Sequence, residues 1–456
     1  MDGSHFQSAV ASRVLSRGRV EVAWDNALEI APPTAECPVC HNEGKRHSIA
    51  RRRIRDISLD GERVVPVRVG VYNCVVCKKH FRLQTGLAEK GKHYSKRALE
   101  KGFVAIRDDK TTFTALPNRL SRDFHITPSK SSCHRWFHSR ADKIDFEKEY
   151  EPLAVQSFSG ALAIDEVYDK GFCLMFATDP LNRRTVSFHL CRGGTSGELE
   201  KFLRYLDSIG IRPEVLIVDG SALYTSVPQE IWPAVRIQLC IFHVIKNCTD
   251  DIESAIRTFY RTLYKGGHLP HENFTAPGWW IQQMKRKEWD KLLIREHRMA
   301  FLTRDENLSA RQRRVITHLS GRYPELHAMR SFFLDLLNLF QRNQGVTDAW
   351  ARLRAMRAND QYKEIPGLQV ALKRLPDKKF EKMVTFLDYE DLDSTTNHVE
   401  RTNRWFRKRQ KTHYRNRTER TIRNMLKADL LGRSRNTVPP VKLARRGDLA
   451  ESEKVA

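Results

Sequence analysis

A multidomain α/β protein is predicted by three features of the sequence. Two short apolar runs, Gly160-Ala-Leu-Ala-Ile-Asp165 and Pro213-Glu-Val-Leu-Ile-Val-Asp219, read as strands buried on both faces. Each ends in an aspartate, which sets a rigidly held charge at the carboxyl edge of a sheet, where α/β folds place their sites. Two Cys-x-x-Cys pairs mark a separate small module near the start, and a long stretch of helical periodicity separates the strands from a basic helix near the end.

Composition narrows the class. With 456 residues, 40% hydrophobic and 29% charged, the chain has room for several domains with ample cores. No apolar run approaches the ~20 residues that span a bilayer. The start Met1-Asp-Gly-Ser-His-Phe lacks a secretory pattern, so a cytoplasmic protein with no membrane partner is expected. Lys and Arg number 79 against 55 Asp and Glu, a net charge of +24, more than solubility asks. Without a basic amphipathic anchor for a membrane, the polyanion expected is nucleic acid. Nine cysteines, an odd number, argue for thiols or metal rather than a disulfide framework.

Residues 1–35 read as an extension closed at Ala31-Pro-Pro. Residues 36–85 carry Cys37-Pro-Val-Cys40 and, after 33 residues, Cys74-Val-Val-Cys77. Two such pairs supply the four sulfurs of a closed tetrahedral site, which predicts a zinc ribbon around a structural Zn²⁺. The alternating segment from Val64 to Tyr72 suits its strands, and Arg51, Arg52 and Arg53 are expected to meet phosphates.

Residues 92–145 read as three short helices: one from Ser95, one over 111–124 with Phe113, Leu116 and Leu120 at helical spacing, and one opened by Pro128 with Thr127 as cap. That is a helix-turn-helix DNA-binding domain. The amino-terminal part of its last helix would face the bases, so Lys130, Ser131, His134 and Arg135 are the candidate readers.

Over 155–250 the pattern is three strands, a helix, a strand, a helix and a further strand, the order of a ribonuclease H-like sheet. Asp169-Lys-Gly171 and Pro180-Leu-Asn182 supply turns, and Ser196 caps the helix that closes at Gly210. An all-helical insertion over 251–390 then splits the core. Phe333, Leu336, Leu337 and Phe340, and again Phe380, Met383, Val384 and Leu387, form apolar stripes. Trp279 and Trp280 read as buried anchors in preference to base-stacking platforms. The core resumes over 391–431 with a helix carrying Glu400, and a flexible tail follows over 432–456. On that helix Glu400, Asn403, Arg404, Arg407 and Lys411 share one face, opposite Val399, Thr402, Trp405 and Phe406.

The chemistry that wants these residues is phosphodiester cleavage. It needs an activated nucleophile and a stabilised leaving oxygen, which two Mg²⁺ ions about 3.5–4 Å apart provide. Each ion needs only one or two protein carboxylates. Asp165 would bridge the pair, with Asp219 and Glu400 holding one ion each, Mn²⁺ being the natural substitute. Asn403, Arg404, Arg407 and Lys411 would hold the DNA backbone. Glu166, next along the strand, should point to the opposite face. Cys240-x2-His243 leaves three readings open: a second metal held with His268 and His271, His243 close to the scissile phosphate, or a strand-to-helix junction with a small buried thiol.

Asp165, Asp219 and Glu400, with a helical insertion before the glutamate, resemble the DDE transposases of insertion sequences. The cysteine ribbon, Thr395-Thr-Asn-His-Val-Glu-Arg-Thr-Asn403 and Cys240-Ile-Phe-His-Val-Ile-Lys246 are similar to the ISL-three group of bacterial elements, with related motifs in Mutator-like transposases. The resemblance covers about residues 36–430. It implies binding to inverted-repeat ends, cleavage by water and strand transfer by the freed 3′-OH. The implied partners are double-stranded DNA, as element ends and target, and further copies of the chain in a dimer or larger assembly. The implied place is the bacterial nucleoid. The rival reading is a catalytically silent, sequence-specific DNA-binding regulator descended from such an enzyme.

Overall fold

In a computed structural model of the protein, the described residues are 13–14, 20–21, 24–224, 226–263, 286–433 and 439–446. His268, His271, Trp279 and Trp280 lie outside them. The chain divides into two compact units, Met1–Tyr150 with Trp405–Thr437, and Glu151–Arg404 with Val438–Ala456.

In the first unit a short pair, β1 (Arg13–Val14) and β2 (Val20–Glu21), precedes a five-stranded sheet. The sheet comprises β3 (Leu28–Ile30), β4 (Thr34–Glu36), β5 (Glu43–Asp56), β6 (Arg63–Cys74) and β7 (His80–Arg82). Its spine is the antiparallel β5–β6 hairpin, paired from Gly44 opposite Cys74 to Asp56 opposite Arg63 with one irregularity between Arg46 and Ser48. Along β6, Val67 and Val69 face one cluster, and Tyr72, of opposite parity, faces a second, where it stacks on Phe81 at 5.4 Å. Gly44 is dictated by this packing, since a Cβ there would lie 2.7 Å from the Phe81 ring.

Three helices follow: α1 (Lys96–Arg107), α2 (Leu116–Phe124) and α3 (Lys130–Ala141). The cap of α3 is Ser129, whose hydroxyl accepts from the Ser132 amide at 3.1 Å; Pro128 and Thr127 precede it. Phe113, Leu116, Leu120, Trp136 and Phe137 form the apolar seam between these helices. The helix Glu419–Arg433 also belongs to this unit, and Arg409 is buried there between Asp429 and the Tyr414 hydroxyl. The segment expected as the final piece of the core, 391–431, is therefore divided at Arg404.

His138, on α3, is 6% exposed and neither ring nitrogen has a hydrogen-bond partner among the described residues. Burial, then the neighbouring His134 and Arg420, push it down to about 4, against Asp142. A histidine whose folded pKa is depressed contributes stability above its unfolded value of about 6.5, and loses it as pH falls towards 4. The loss should approach roughly 3 kcal/mol below pH 4. His138→Phe is expected to flatten this acid limb in urea-unfolding midpoints measured from pH 7 to pH 4.

The second unit holds a five-stranded mixed sheet of β8 (Ala161–Asp169), β9 (Phe172–Asp179), β10 (Arg184–Cys191), β11 (Val215–Val218) and β12 (Arg236–Leu239), in the spatial order β10-β9-β8-β11-β12. The first three strands are antiparallel neighbours, and β11 runs parallel to both β8 and β12. Lys170 and Gly171 both take positive φ, which makes the tight β8–β9 turn. Helices α4 (Ser196–Ser208) and α5 (Ile241–Thr262) follow β10 and β12, and Thr195 caps α4. The helical stretch after α5 is built on the predicted stripes, with Phe333, Leu336, Phe340, Phe380, Met383, Val384 and Leu387 all buried. Residues 439–446, expected within a flexible tail, instead make specific contacts: the Leu443 amide donates to the Ser159 carbonyl, the Val441 amide to Asn182, and Arg445 pairs with Glu214. No helix among the described residues is long and apolar enough to cross a membrane.

Candidate metal centres and nucleic-acid interface

Strand pairing brings the first two carboxylates together. Val215 pairs with Ala161 and Ile217 with Ala163, and the same offset carried two residues on sets Asp219 beside Asp165. Neighbouring strands lie about 4.8 Å apart, and both aspartates fall on one face of the pleat. The Ser221 amide donates to Asp219 Oδ1 at 2.9 Å and fixes that side chain at the strand end.

Glu400 arrives by a chain of hydrogen bonds from the next strand. The Cys240 amide donates to the Val218 carbonyl at 2.8 Å, and the Ile241 amide to the Ser394 carbonyl at 3.0 Å. The Thr396 amide donates to Cys240 Sγ at 3.4 Å, while its hydroxyl donates to Glu400 Oε1 at 3.1 Å. Helix α6 (Asn397–Arg409) carries Glu400 in its first turn, where the helix dipole favours a carboxylate. Cys240 thus sits at a strand-to-helix junction and positions Thr396. His243 lies beside Phe242, and its buried Nδ1 has no partner among the described residues.

The electrostatics favour a bound proton or cation. Burial pushes the Asp165 carboxyl up to about 7, reinforced by the charges of Glu166, Asp219 and Glu400. Glu166, expected on the opposite face, is half-buried; burial and Asp219 raise its carboxyl, while the nearby Tyr224 hydroxyl favours its charged form. Chain beyond β11 folds back to place Tyr224 and Asp219 near it, which strand alternation does not register. The oxygens of Asp165, Asp219 and Glu400 do not all lie within 4.8 Å of one another. A pair of ions tolerates that spread, since carboxylates holding different ions need not meet. The donor set fits Mg²⁺ or Mn²⁺: oxygen ligands, mutually repelling and partly desolvated.

Asn403, expected among the DNA contacts, is 4% exposed and its Nδ2 donates to Asp165 Oδ2 at 2.7 Å. It braces a carboxylate and does not reach solvent. Its Oδ1 has no partner among the described residues. At 100° per residue Asn403 lies at the border of the two faces, next to the buried Val399 and Phe406, and turns inward with them and Thr402, while Arg404, Arg407 and Lys411 stay exposed.

The four predicted cysteines converge. Cys37 Sγ lies 3.6 Å from Cys77 Sγ and Cys40 Sγ 3.4 Å from Cys74 Sγ, with all four within 4.8 Å. Four sulfurs about 2.3 Å from one ion would stand roughly 3.8 Å apart, so the quartet fits zinc. Both knuckles repeat one turn: His41 and Lys78, each just after the second cysteine, take left-handed φ near +57°. The Asn42 amide and the adjacent Cys77 hold Cys40 down to about 6, while Cys77, despite the Lys79 amide, is pushed up to about 12 by Cys40 and burial. Four thiols crowded in this way share their protons unevenly until a cation relieves them.

Among the predicted DNA contacts, Arg51 and Arg53 share one exposed face of β5 over Trp24, whereas Arg52 points the other way and donates to the Lys92 carbonyl at 2.6 Å. Lys130, Ser131, His134 and Arg135 are all exposed along α3, the His134 ring leaning on His138 at 4.3 Å. One cluster escaped sequence reading: His189, Cys191 and Glu198 lie within 4.8 Å of one another. His189 bonds Glu198 at 2.7 Å and Lys201 pairs with it at 2.6 Å, an arrangement that staples α4 to β10.

The family model of ISL3-type DDE elements, described as "Transposase", matches residues 162–426. No curated protein sequence matches the chain. Among solved structures, the Drosophila P element transposase strand transfer complex is similar at a TM-score of 0.37 and 13% identity, over 77% of this chain and 95% of that one.

Proposed function

Because the chain belongs to the ISL3-type DDE transposase family, whose members are metal-dependent polynucleotidyl transferases acting on DNA, we propose that it moves its own element by two-metal cleavage and strand transfer at inverted-repeat ends. One observation carries the reading: Asp165 in the middle of β8, which runs on past the expected strand end, and Asp219 just past β11 lie in parallel register, with a helix-borne glutamate tied to the same sheet and their charges coupled at Asp165. The strand order, with three antiparallel strands and two parallel ones, supports a ribonuclease H-like core.

Asp165, Asp219 and Glu400 would hold the divalent ions, which when bound supply an activated water and neutralise the leaving oxygen. Asn403 releases Asp165 Oδ2 to that role and keeps its carboxylate oriented. Thr396 aims Glu400, and Cys240 aims Thr396. In the first unit, the zinc-held sheet and the exposed face of α3 bind the terminal repeat, positioning by phosphates and reading by base edges. Further copies of the chain, in a dimer or larger assembly, would hold the second end and the target. A silent regulator has no use for half-buried, mutually repelling carboxylates, which cost stability and are relieved when a cation joins them.

Orientation of a metal-binding carboxylate by its hydrogen-bond partner is typically worth 10- to 100-fold in metal affinity. Thr396→Val keeps the volume and removes the hydroxyl. It is expected to weaken Mn²⁺ binding roughly tenfold or more, read by isothermal titration calorimetry, with Cys240→Ser much closer to wild type. The central test is a duplex bearing the element's terminal inverted repeat, incubated with Mg²⁺. Nicking at the repeat boundary supports the proposal, and cleavage of branched DNA regardless of end sequence would replace it with a junction nuclease.

A further inference from the structure

In the second unit, one group of metal-ligating side chains has no part in the carboxylate site: His189 and Cys191 on β10, and Glu198 in the first turn of α4. His189 and Cys191 are two apart on an extended strand, so both side chains leave the same face of the sheet. The loop between β10 and α4 is tightly packed, since a Cβ on Gly194 would run into the Tyr168 hydroxyl. That loop brings Glu198 back over the strand, and one donor atom from each of the three residues falls within 4.8 Å of the others. Two donors are held in direction: the His189 ring stacks on Phe202 at 5.7 Å, and Lys201 holds Glu198 Oε1 at 2.6 Å. The 2.7 Å contact between His189 and Glu198 would by itself suffice to staple helix to strand. It leaves the Cys191 thiol unexplained. That thiol is directed at the Gly193 and Cys173 carbonyls at 3.3 and 3.5 Å, weak bonds that it can give up at small cost.

We propose that His189, Cys191 and Glu198 bind a zinc ion distinct from that of the cysteine quartet, one that clamps α4 to the edge strand of the sheet carrying Asp165. Zinc takes imidazole nitrogen and carboxylate oxygen at about 2.0–2.2 Å and thiolate sulfur at about 2.3 Å. At the tetrahedral angle such donors stand roughly 3.3–3.6 Å apart. The His189–Glu198 pair therefore has to open by less than about 1 Å to admit the ion. Cys191 binds as the thiolate, its proton passing to solvent, and His189 binds as the neutral ring. One thiolate and one carboxylate then cancel the two charges of the ion. Sulfur and nitrogen donors do not suit Mg²⁺, so this site and the carboxylate centre would select different metals. The His189 and Glu198 side chains are 28% and 25% exposed, enough for an ion to enter and for water to fill the fourth position. Since β10 is the outer strand and β8 lies two strands in, the clamp would stiffen the sheet from its edge and take no share in cutting.

The experiment uses the full-length protein with its cysteine quartet loaded with zinc, held in excess Mg²⁺ and titrated with Co²⁺. Cobalt bound to sulfur gives a thiolate-to-metal charge-transfer band, which the all-oxygen carboxylate centre cannot produce. One equivalent of Co²⁺ per chain should bring up a band of single-thiolate intensity. Cys191→Ser should abolish it, and His189→Gln and Glu198→Gln should each weaken Co²⁺ binding by roughly 100-fold or more, beyond the loss of an orienting partner alone. Unchanged amide protection of Val215–Val218 shows that the sheet is folded in each variant. Should Cys191→Ser lose that protection, Glu198→Gln, which leaves the thiol and the ring in place, decides the matter. A wild type without the band overturns the inference, and so does a band that survives Cys191→Ser. A band that needs Cys191 but ignores both glutamine substitutions reports a lone thiol and overturns it as well. None of these outcomes touches end cleavage, so the transposase reading stands or falls separately.

Discussion

Asp219→Asn is expected to abolish cleavage of the element end while leaving the protein bound to it. The substitution is isosteric and keeps the Oδ1 that accepts from the Ser221 amide, so the strand end should not move. What it removes is a charge beside Asp165, at the end of a fully buried strand. With that ligand gone one of the two ions is poorly held, and the rate should fall by roughly 10³-fold or more. Affinity for the terminal repeat, measured by anisotropy, should change by no more than about threefold, because most phosphate contacts lie elsewhere. Stability should move in the opposite direction to activity. Asp219 is one of three charges that, after burial, raise the Asp165 carboxyl, so neutralising it relieves repulsion in the metal-free state. The variant should melt no lower than wild type without Mg²⁺, the trade expected of a site that stores electrostatic strain. Normal cleavage by Asp219→Asn would remove Asp219 from the mechanism and leave the parallel register without chemical meaning.

What could be read from the sequence was whatever local pattern determines. Val215–Val218 is short, β-branched and flanked by Pro213 and Gly220, so its strand and the exposure of Asp219 at its end follow from composition alone. The cysteine pairs were legible because two knuckles of identical spacing need no knowledge of the fold to be matched. Helix caps fall one or two residues from those expected, at Thr195 in place of Ser196 and Ser129 in place of Thr127, because adjacent hydroxyl residues qualify equally until backbone angles choose. The misplacements that matter are tertiary. Asn403 and Arg404 sit side by side on a helix and both look polar; only the approach of β8 decides that one bonds Asp165 while the other meets water. Alternation sends Glu166 to the face opposite Asp165, yet the loop after β11 brings Asp219 and Tyr224 to it. The extreme case is Glu253, which pairs with both Arg257 and Arg298, 41 residues apart, through helix packing alone.

Removing zinc should unfold the amino-terminal sheet and spare the carboxylate sheet. The cores of the five-stranded sheet are small, with Cys37, Tyr72, Cys74 and Phe81 in one cluster and Ile54, Val67, Val69 and Ala88 in another. The first of these is built partly from the ligands themselves. Modules of this size rarely hold together on apolar burial alone and recruit a metal or disulfides. A structural zinc contributes about 10–16 kcal/mol of binding free energy, all of it available to folding when no site exists in the unfolded chain. Without it, four thiols that share protons unevenly must spread apart, and the two left-handed turns at His41 and Lys78 lose what holds them. After chelation, or in Cys37→Ser with Cys40→Ser, amide exchange across β5 and β6 should quicken by orders of magnitude, while Val215–Val218 keeps its protection. Terminal-repeat binding should be lost together with one equivalent of zinc per chain. Protected β5–β6 amides in zinc-free protein would show that the hairpin stands by itself, and the quartet would then be a redox or accessory site instead of the staple of the DNA-binding unit.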